Sequence, residues 1–359
     1  MEQPANPVRG KSAPVRWIDA DQAESYLRDV GFLQPDEKIT ARVLAGGVSN
    51  IVLHCSSTSR PPFVLKQSRP QLRTAEPWFC SPERIWCETA TLQACSELLA
   101  RRRQQDASAN GIMVPDLLME DRGNFAFAMS AVAEPHATWK SQLLAGEVCE
   151  ETAEACGRLL GILHADTWHS VTVAASFENR AFFDALRLDP YYRFSAGQEP
   201  RLRDWLVELI QSVWSHRHCL VHGDFSPKNL LVNAAGVTLI DFEVGHYGDP
   251  AFDLGFFLTH LVLKAVRAPR DQPRILRLID RFSDAYRTLL GSACSADEVD
   301  AVVERGHRNL AGCLIARVIG KSRIDYDVDV RRVLEIAEAV FRLQFAHWPK
   351  VRETIENST

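Results

Sequence analysis

Long apolar runs are missing from the chain. A bilayer core demands about 20 consecutive apolar residues, and the most apolar stretch, Leu254 to Val266, is broken by His260 and Lys264. It reads as a core helix, and no membrane partner is expected. No Cys-x-x-Cys pair occurs among the nine cysteines, and the first residues lack the apolar centre of a secretion signal. Reduced thiols and a cytoplasmic location are therefore expected rather than a disulfide framework. Basic residues are in the minority, 41 Lys and Arg against 46 Asp and Glu for a net charge of −5. That balance argues against nucleic acid as a partner, because phosphate-backbone binding needs a positive surface. No complete Gly-x-Gly-x-x-Gly or Walker loop is present. What is present is a chain of 359 residues, 46% of them hydrophobic, long enough to bury a sizeable core and to form two lobes.

The most informative stretch runs from His222 to Asp241. It begins Leu220-Val221-His222-Gly223-Asp224-Phe225-Ser226-Pro227-Lys228-Asn229 and ends Val237-Thr238-Leu239-Ile240-Asp241-Phe242-Glu243. Two strand-like runs, Leu230 to Val232 and Val237 to Ile240, flank Asn233-Ala234-Ala235-Gly236, where Asn and Gly are expected to supply positive φ for a tight hairpin. Asp224 and Asn229 then sit at the hairpin's entry and Asp241 at its exit, and an antiparallel pair brings those ends together. Asp241 and Asn229 offer hard oxygen ligands for Mg²⁺, and Asp224 is left to orient or deprotonate a hydroxyl. Each residue alone is as well explained by turn capping. The ordered set is that of phosphoryl-transfer enzymes: a loop Asp, an Asn five residues later, then a metal-binding Asp after a short hairpin.

His222-Gly223-Asp224 resembles the Brenner-type loop of aminoglycoside phosphotransferases, choline kinases and methylthioribose kinases, in which Gly replaces the Arg of the protein-kinase loop. Gly248-Asp249-Pro250-Ala251-Phe252-Asp253-Leu254 is similar to that family's continuation, and the likeness extends from about Ile39 onward. It implies an α+β, two-lobed, protein-kinase-like fold. The expected divisions are a tail at 1–16, a small antiparallel-sheet N-lobe with hinge at 17–133, and a mostly helical C-lobe at 134–359. ATP and Mg²⁺ are the implied cofactors, a small-molecule hydroxyl is the implied acceptor, and a homodimer is left open.

Expected strands are Ile39 to Leu44, Asn50 to Cys55, Phe63 to Gln67, Met113 to Leu118 and Phe125 to Ser130. In such a lobe Gly46, Gly47 and Ser49 cover the nucleotide phosphates and Lys66 neutralises them. Glu88, on a helix capped by Ser81, is the expected partner of Lys66, and Met129 to Ala133 form the hinge, with Met129 and Ala131 against adenine. Trp78 follows the lysine strand as in methylthioribose kinases. Glu243 is a further metal ligand if the segment after Asp241 stays extended. His222 braces the loop, Asp253 holds its amides, and Lys228 and Arg317 are offered to the substrate. The likeness has a break: where methylthioribose kinases carry an arginine pair, Ala316 precedes Arg317. Three rival functions stand beside small-molecule kinase: an ATP-binding pseudokinase, a nucleotidyl-transferring enzyme, and a protein kinase. The last is disfavoured because no Ala-Pro-Glu segment follows Asp241.

Overall fold

The structure is a computed structural model that describes residues 14–44, 50–72 and 78–357. It resolves into two compact units, one built from residues up to Ile85 together with Asp116–Ala131, the other from Trp86–Pro115 and Val132 onward.

The first unit is a five-stranded antiparallel sheet of β1 (Ile39–Val43), β2 (Asn50–Ser57), β3 (Phe63–Ser68), β4 (Leu117–Asp121) and β5 (Ala126–Ser130), in the order β1-β2-β3-β5-β4. The expected strand over Met113 to Leu118 is divided, because Ile112–Met113 pairs instead with a strand of the second unit. One face of the sheet is closed by α1 (Ala23–Asp29), whose Ala23, Tyr26 and Leu27 recur at helical spacing and pack on Leu53, Phe63, Leu65, Ala126 and Ala128. Asp19 precedes a single 3₁₀ turn, Ala20–Gln22, without a side-chain cap. Polar groups at this closure are paired. Gln67 accepts from the Ile18 amide at 2.9 Å and donates to the Arg16 and Asn124 carbonyls at 2.8 Å each, and the Tyr26 hydroxyl donates to Asp121 at 2.8 Å.

The second unit is mainly helical. Its long helices are α2 (Arg84–Gln105, which starts at the end of the first unit), α3 (Glu150–Ala165), α4 (Arg203–Ser215), α5 (Pro250–Arg267), α6 (Gln272–Leu290), α7 (Ala296–Ile319), α8 (Val330–Arg342) and α9 (Trp348–Asn357). The Ser81 carbonyl and hydroxyl meet the Arg84 and Glu83 amides, so α2 begins beyond Pro82 rather than at it. Residues 343–347 separate α8 from α9. Gly157 and Gly161 let α3 lie against α6, since a Cβ on Gly157 would collide with the Phe282 carbonyl. α5 runs through the core, buried on all sides from Pro250 to Val266.

Two small sheets carry the loops. β6 (Cys219–Val221) pairs antiparallel with β9 (His246–Gly248). β7 (Leu230–Asn233) and β8 (Gly236–Leu239) form a hairpin in the register Asn233 to Gly236, flanked by Ala137–Thr138 on one edge and Ile112–Met113 on the other. The hairpin turn differs from expectation at one residue. Gly236 takes the positive φ, +129°, but Asn233 does not; its side chain instead accepts from the Ala235 amide at 2.9 Å, an Asx turn.

Candidate active site

The loop after β6 is fixed from below by Asp253, in the first turn of α5. Its two carboxylate oxygens accept the His222 and Gly223 amides at 2.7 Å each, and His164 of α3 stands at 3.4 Å. Burial alone would raise the Asp253 pKa, but His164 and the loop groups more than offset it and hold the carboxyl below its ordinary range. Gly223 has φ +76°, and a Cβ there would lie 2.9 Å from the Val244 side chain, so the turn needs glycine. The His222 ring folds back so that Nδ1 accepts the Asp224 amide at 3.1 Å, and burial lowers its pKa, favouring the neutral ring that can accept.

Asp224 is thereby aimed into a buried polar knot. Asn229 Nδ2 donates to its Oδ2 at 2.7 Å and to its backbone carbonyl at 3.0 Å, and Lys228 Nζ lies 2.9 Å from the same Oδ2. On the other side Arg187 Nη2 is 3.0 Å from Oδ1, while Arg187 Nε donates to the Gly223 carbonyl at 2.8 Å. Burial pushes the Asp224 pKa up; Arg187 and Lys228 together outweigh it and keep the group ionised. Arg187 is the residue that sequence reasoning missed. It sits in Asp184–Arg193, a π-helical stretch with Pro190 inside it, and neither helical nor strand periodicity marks which of its side chains turns inward. A lone arginine between Leu186 and Leu188 is the one available signal.

Beyond the hairpin the chain does not stay extended. Asp241 has φ +71°, and the Gly245 amide closes a turn onto the Phe242 carbonyl at 3.1 Å. Oxygens of Asp241, Glu243 and Glu88 nonetheless come within 4.8 Å of one another. Glu88 arrives from α2, which is seated on the same turn: Cys87 Sγ contacts the Gly245 carbonyl at 3.0 Å, and Thr91 occupies the space a Cβ on Gly245 would need. The Ile240 amide donates to the Asn229 carbonyl at 3.0 Å, tying the hairpin's entry to its exit. Asp241 acts electrostatically on Asp224, Lys228 and Arg187. Asp224, Lys228, Asn229, Asp241, Glu243 and Glu88, with His222 and Asp253 behind them, therefore belong to one neighbourhood of the second unit.

Other sequence-selected residues lie elsewhere. In the first unit Lys66 is buried on β3, in register with Val52 and Phe127. Met129 is buried on β5, Ala131 gives its amide to the Pro62 carbonyl at 3.2 Å, and Trp78 is buried, its carbonyl taking the Leu72 amide. Gly46, Gly47 and Ser49 fall outside the described residues. On α7, Arg317 reaches the Tyr191 hydroxyl at 3.3 Å and the Ser322 hydroxyl at 2.9 Å. A cavity of about 630 Å³ among α6, α7 and the start of α9 contains none of these residues.

Comparison with known proteins bears on this arrangement. Residues 40–290 match the model of a family described as "Phosphotransferase enzyme family". Methylthioribose kinase of Cronobacter sakazakii is 24% identical over 321 residues, 76% of each chain, and that of Pectobacterium atrosepticum is 26% identical over 342 residues, 82% of this chain and 80% of the other. Among solved structures, an ethanolamine kinase of Plasmodium vivax superimposes with a TM-score of 0.52 over 93% of this chain and 83% of that one, at 11% identity, a likeness of fold. With the match running from β1 through α6 and so across the whole His222–Glu243 region, the chain belongs to the phosphotransferase enzyme family.

Proposed function

We propose that the chain is a kinase of small molecules, moving the γ-phosphoryl group of ATP to an acceptor hydroxyl. The observation that carries this reading is the buried Asp224 carboxylate, held by Asn229, Lys228 and Arg187 beside the Glu88–Asp241–Glu243 cluster. Carboxylate oxygens from three residues within 4.8 Å of one another form a set of hard donors of the kind that suits Mg²⁺. Bound there, Mg²⁺ would neutralise charge on the nucleotide phosphates. Asp241 and Glu243 are its assigned holders, with Asn229 beside them. Asp224 orients the acceptor hydroxyl and takes its proton, Arg187 and Lys228 keep Asp224 ionised until it does, and Asp253 and His222 hold the loop. To the first unit the reading assigns nucleotide binding, through Lys66, the strand end at Met129 and Ala131, and the Gly46, Gly47 and Ser49 segment.

The relatives named for methylthioribose make thiosugars and pentoses the first acceptors to try, but Ala316 before Arg317 leaves only one arginine of the expected pair, so the panel extends to amino alcohols, aminoglycosides and sugar acids. The experiment follows label from α- and γ-labelled ATP. Label from the γ position on a small molecule supports the proposal; label from the α position on protein, or no transfer to any hydroxyl compound, overturns it. On the true acceptor, Asp224→Asn should lower kcat by about 10² to 10⁴, the usual worth of a positioned base.

A further inference from the structure

α5 is the core helix expected over Leu254 to Val266, and the two polar residues that interrupt its apolar run, His260 and Lys264, lie one turn apart and are buried with it, 7% and 2% exposed. Lys264 Nζ donates to the His260 carbonyl at 3.0 Å and forms no ion pair among the described residues. His260 Nε2, the Tyr326 hydroxyl and Arg317 Nε are all buried without a hydrogen-bond partner. The Tyr326 ring has Lys264 Nζ 5.5 Å from its centre, Lys140 Nζ at 6.0 Å and the Arg267 guanidinium at 6.0 Å. The acid facing this group is Asp325, already bound by Lys140 at 2.6 Å. Burial, Lys140 and Arg317 together bring the Lys264 pKa down to about 7.

A protein gains nothing in stability from gathering cations around unsatisfied buried donors; each such group costs free energy unless something pairs it. The cluster also adjoins the loop already described. The Phe256 ring lies 5.2 Å from His260 on one side and 6.0 Å from the Arg187 guanidinium on the other, Arg317 and Arg187 share Tyr191, and Lys228 acts electrostatically on His260. A ligand with its hydroxyl at Asp224 and an oxyanion at Lys264 and Arg317 would satisfy both ends. We propose that this cluster is the subsite for an acidic group on the acceptor, so that the substrate is an anionic hydroxy compound, a sugar acid, hydroxy acid or sugar phosphate, rather than an amino sugar or amino alcohol. This deepens the kinase reading and rests on it for the reacting hydroxyl.

The test uses the full chain saturated with AMP-PNP and Mg²⁺, titrated calorimetrically with inorganic phosphate and separately with acetate. Binding of either oxyanion, weakened about tenfold or more in both Lys264→Met and Tyr326→Phe, is expected; which oxyanion binds better separates a phosphate from a carboxylate. Absence of binding, or binding that both substitutions leave unchanged, overturns the subsite. Lys264→Met removes a buried charge at nearly constant volume and Tyr326→Phe removes one oxygen, so misfolding is not the expected outcome, and melting curves verify it. In parallel, ATP consumption is compared for gluconate, glucose and glucosamine; glucosamine or glucose outperforming gluconate overturns the substrate class. If AMP-PNP fails to bind, the kinase reading fails instead, and the same titrations on the unliganded protein still decide the subsite.

Discussion

The most exposed consequence of this architecture is the pH dependence of stability at Lys264. The lysine is buried on α5 with a carbonyl as its hydrogen-bond partner and with Lys140 and Arg317 acting on it, which brings its pKa from 10.5 down to about 7. In the unfolded chain it titrates at its ordinary value. Between those two values the unfolded state carries a proton that the folded state has released, so stability rises with pH across the window from about 7 to 10.5. Below the folded value both states are protonated and the full penalty of burying the charge applies. At 1.36 kcal/mol per unit the whole displacement corresponds to at most about 5 kcal/mol. Over two pH units inside the window, about 2–3 kcal/mol should appear.

Lys264→Met removes this linkage at nearly constant volume. Urea denaturation of both proteins at pH 7, 8 and 9 should show the variant more stable at pH 7, with its advantage shrinking by up to about 1.4 kcal/mol for each unit of pH. Other titrating groups are common to both proteins and cancel in the difference. Parallel stability profiles, or a variant less stable than the wild type at pH 7, would refute the claim that an unpaired, desolvated amine is carried in the folded state. A molecule that retains such a residue against a loss of this size is using it for something other than folding.

What could be read from the sequence was whatever is local. β1, β2, β3 and the β7–β8 hairpin announce themselves by short apolar runs bounded by turn residues, and the His222 to Asp241 order lies within twenty consecutive positions, so its convergence needs one hairpin. Asn233 shows the limit of that reading: Asx residues tolerate positive φ and also make Asx turns, and only the surrounding register decides which. Three features were illegible for a common reason, that they are set by packing between distant segments. Arg187 turns inward through a π-helical stretch that no periodicity reports. Glu88 reaches Asp241 and Glu243 because Cys87 and Thr91 seat α2 on the Phe242–Gly245 turn. His260 and Lys264 looked like interruptions of an apolar helix, and their burial depends on helices and loops far along the chain. The bend at Asp241 was illegible too, since positive φ at an aspartate costs of order 1 kcal/mol and is adopted only where its surroundings impose it.

The remaining predictions address the loop and the proposed ion site. Asp253→Asn turns an NH₂ group toward one of the two amides that the carboxylate now accepts; it should destabilise the protein by about 3–5 kcal/mol, read as a lowered urea midpoint, and a variant of wild-type stability would show that the loop is held otherwise. Glu243→Gln should raise the Mg²⁺ concentration for half-maximal turnover about tenfold while leaving the acceptor KM in place; an unchanged Mg²⁺ requirement removes Glu243 from the ion site. Arg187→Met tests what keeps Asp224 ionised. In the wild type burial raises the Asp224 pKa, and Arg187, ahead of Lys228, brings it below the ordinary carboxylate range. Activity that needs the carboxylate is therefore present above that depressed pKa and is lost as pH falls through it. Without the guanidinium 3.0 Å from Oδ1, burial and Asp241 are opposed only by Lys228 and the Asn229 amide, so the acid limb of the kcat profile should move to higher pH while the KM for ATP changes little. A variant whose kcat falls equally at every pH would mean that Arg187 merely shapes the loop through the Gly223 carbonyl, because loss of geometry lowers a rate without moving the protonation equilibrium that a charge controls.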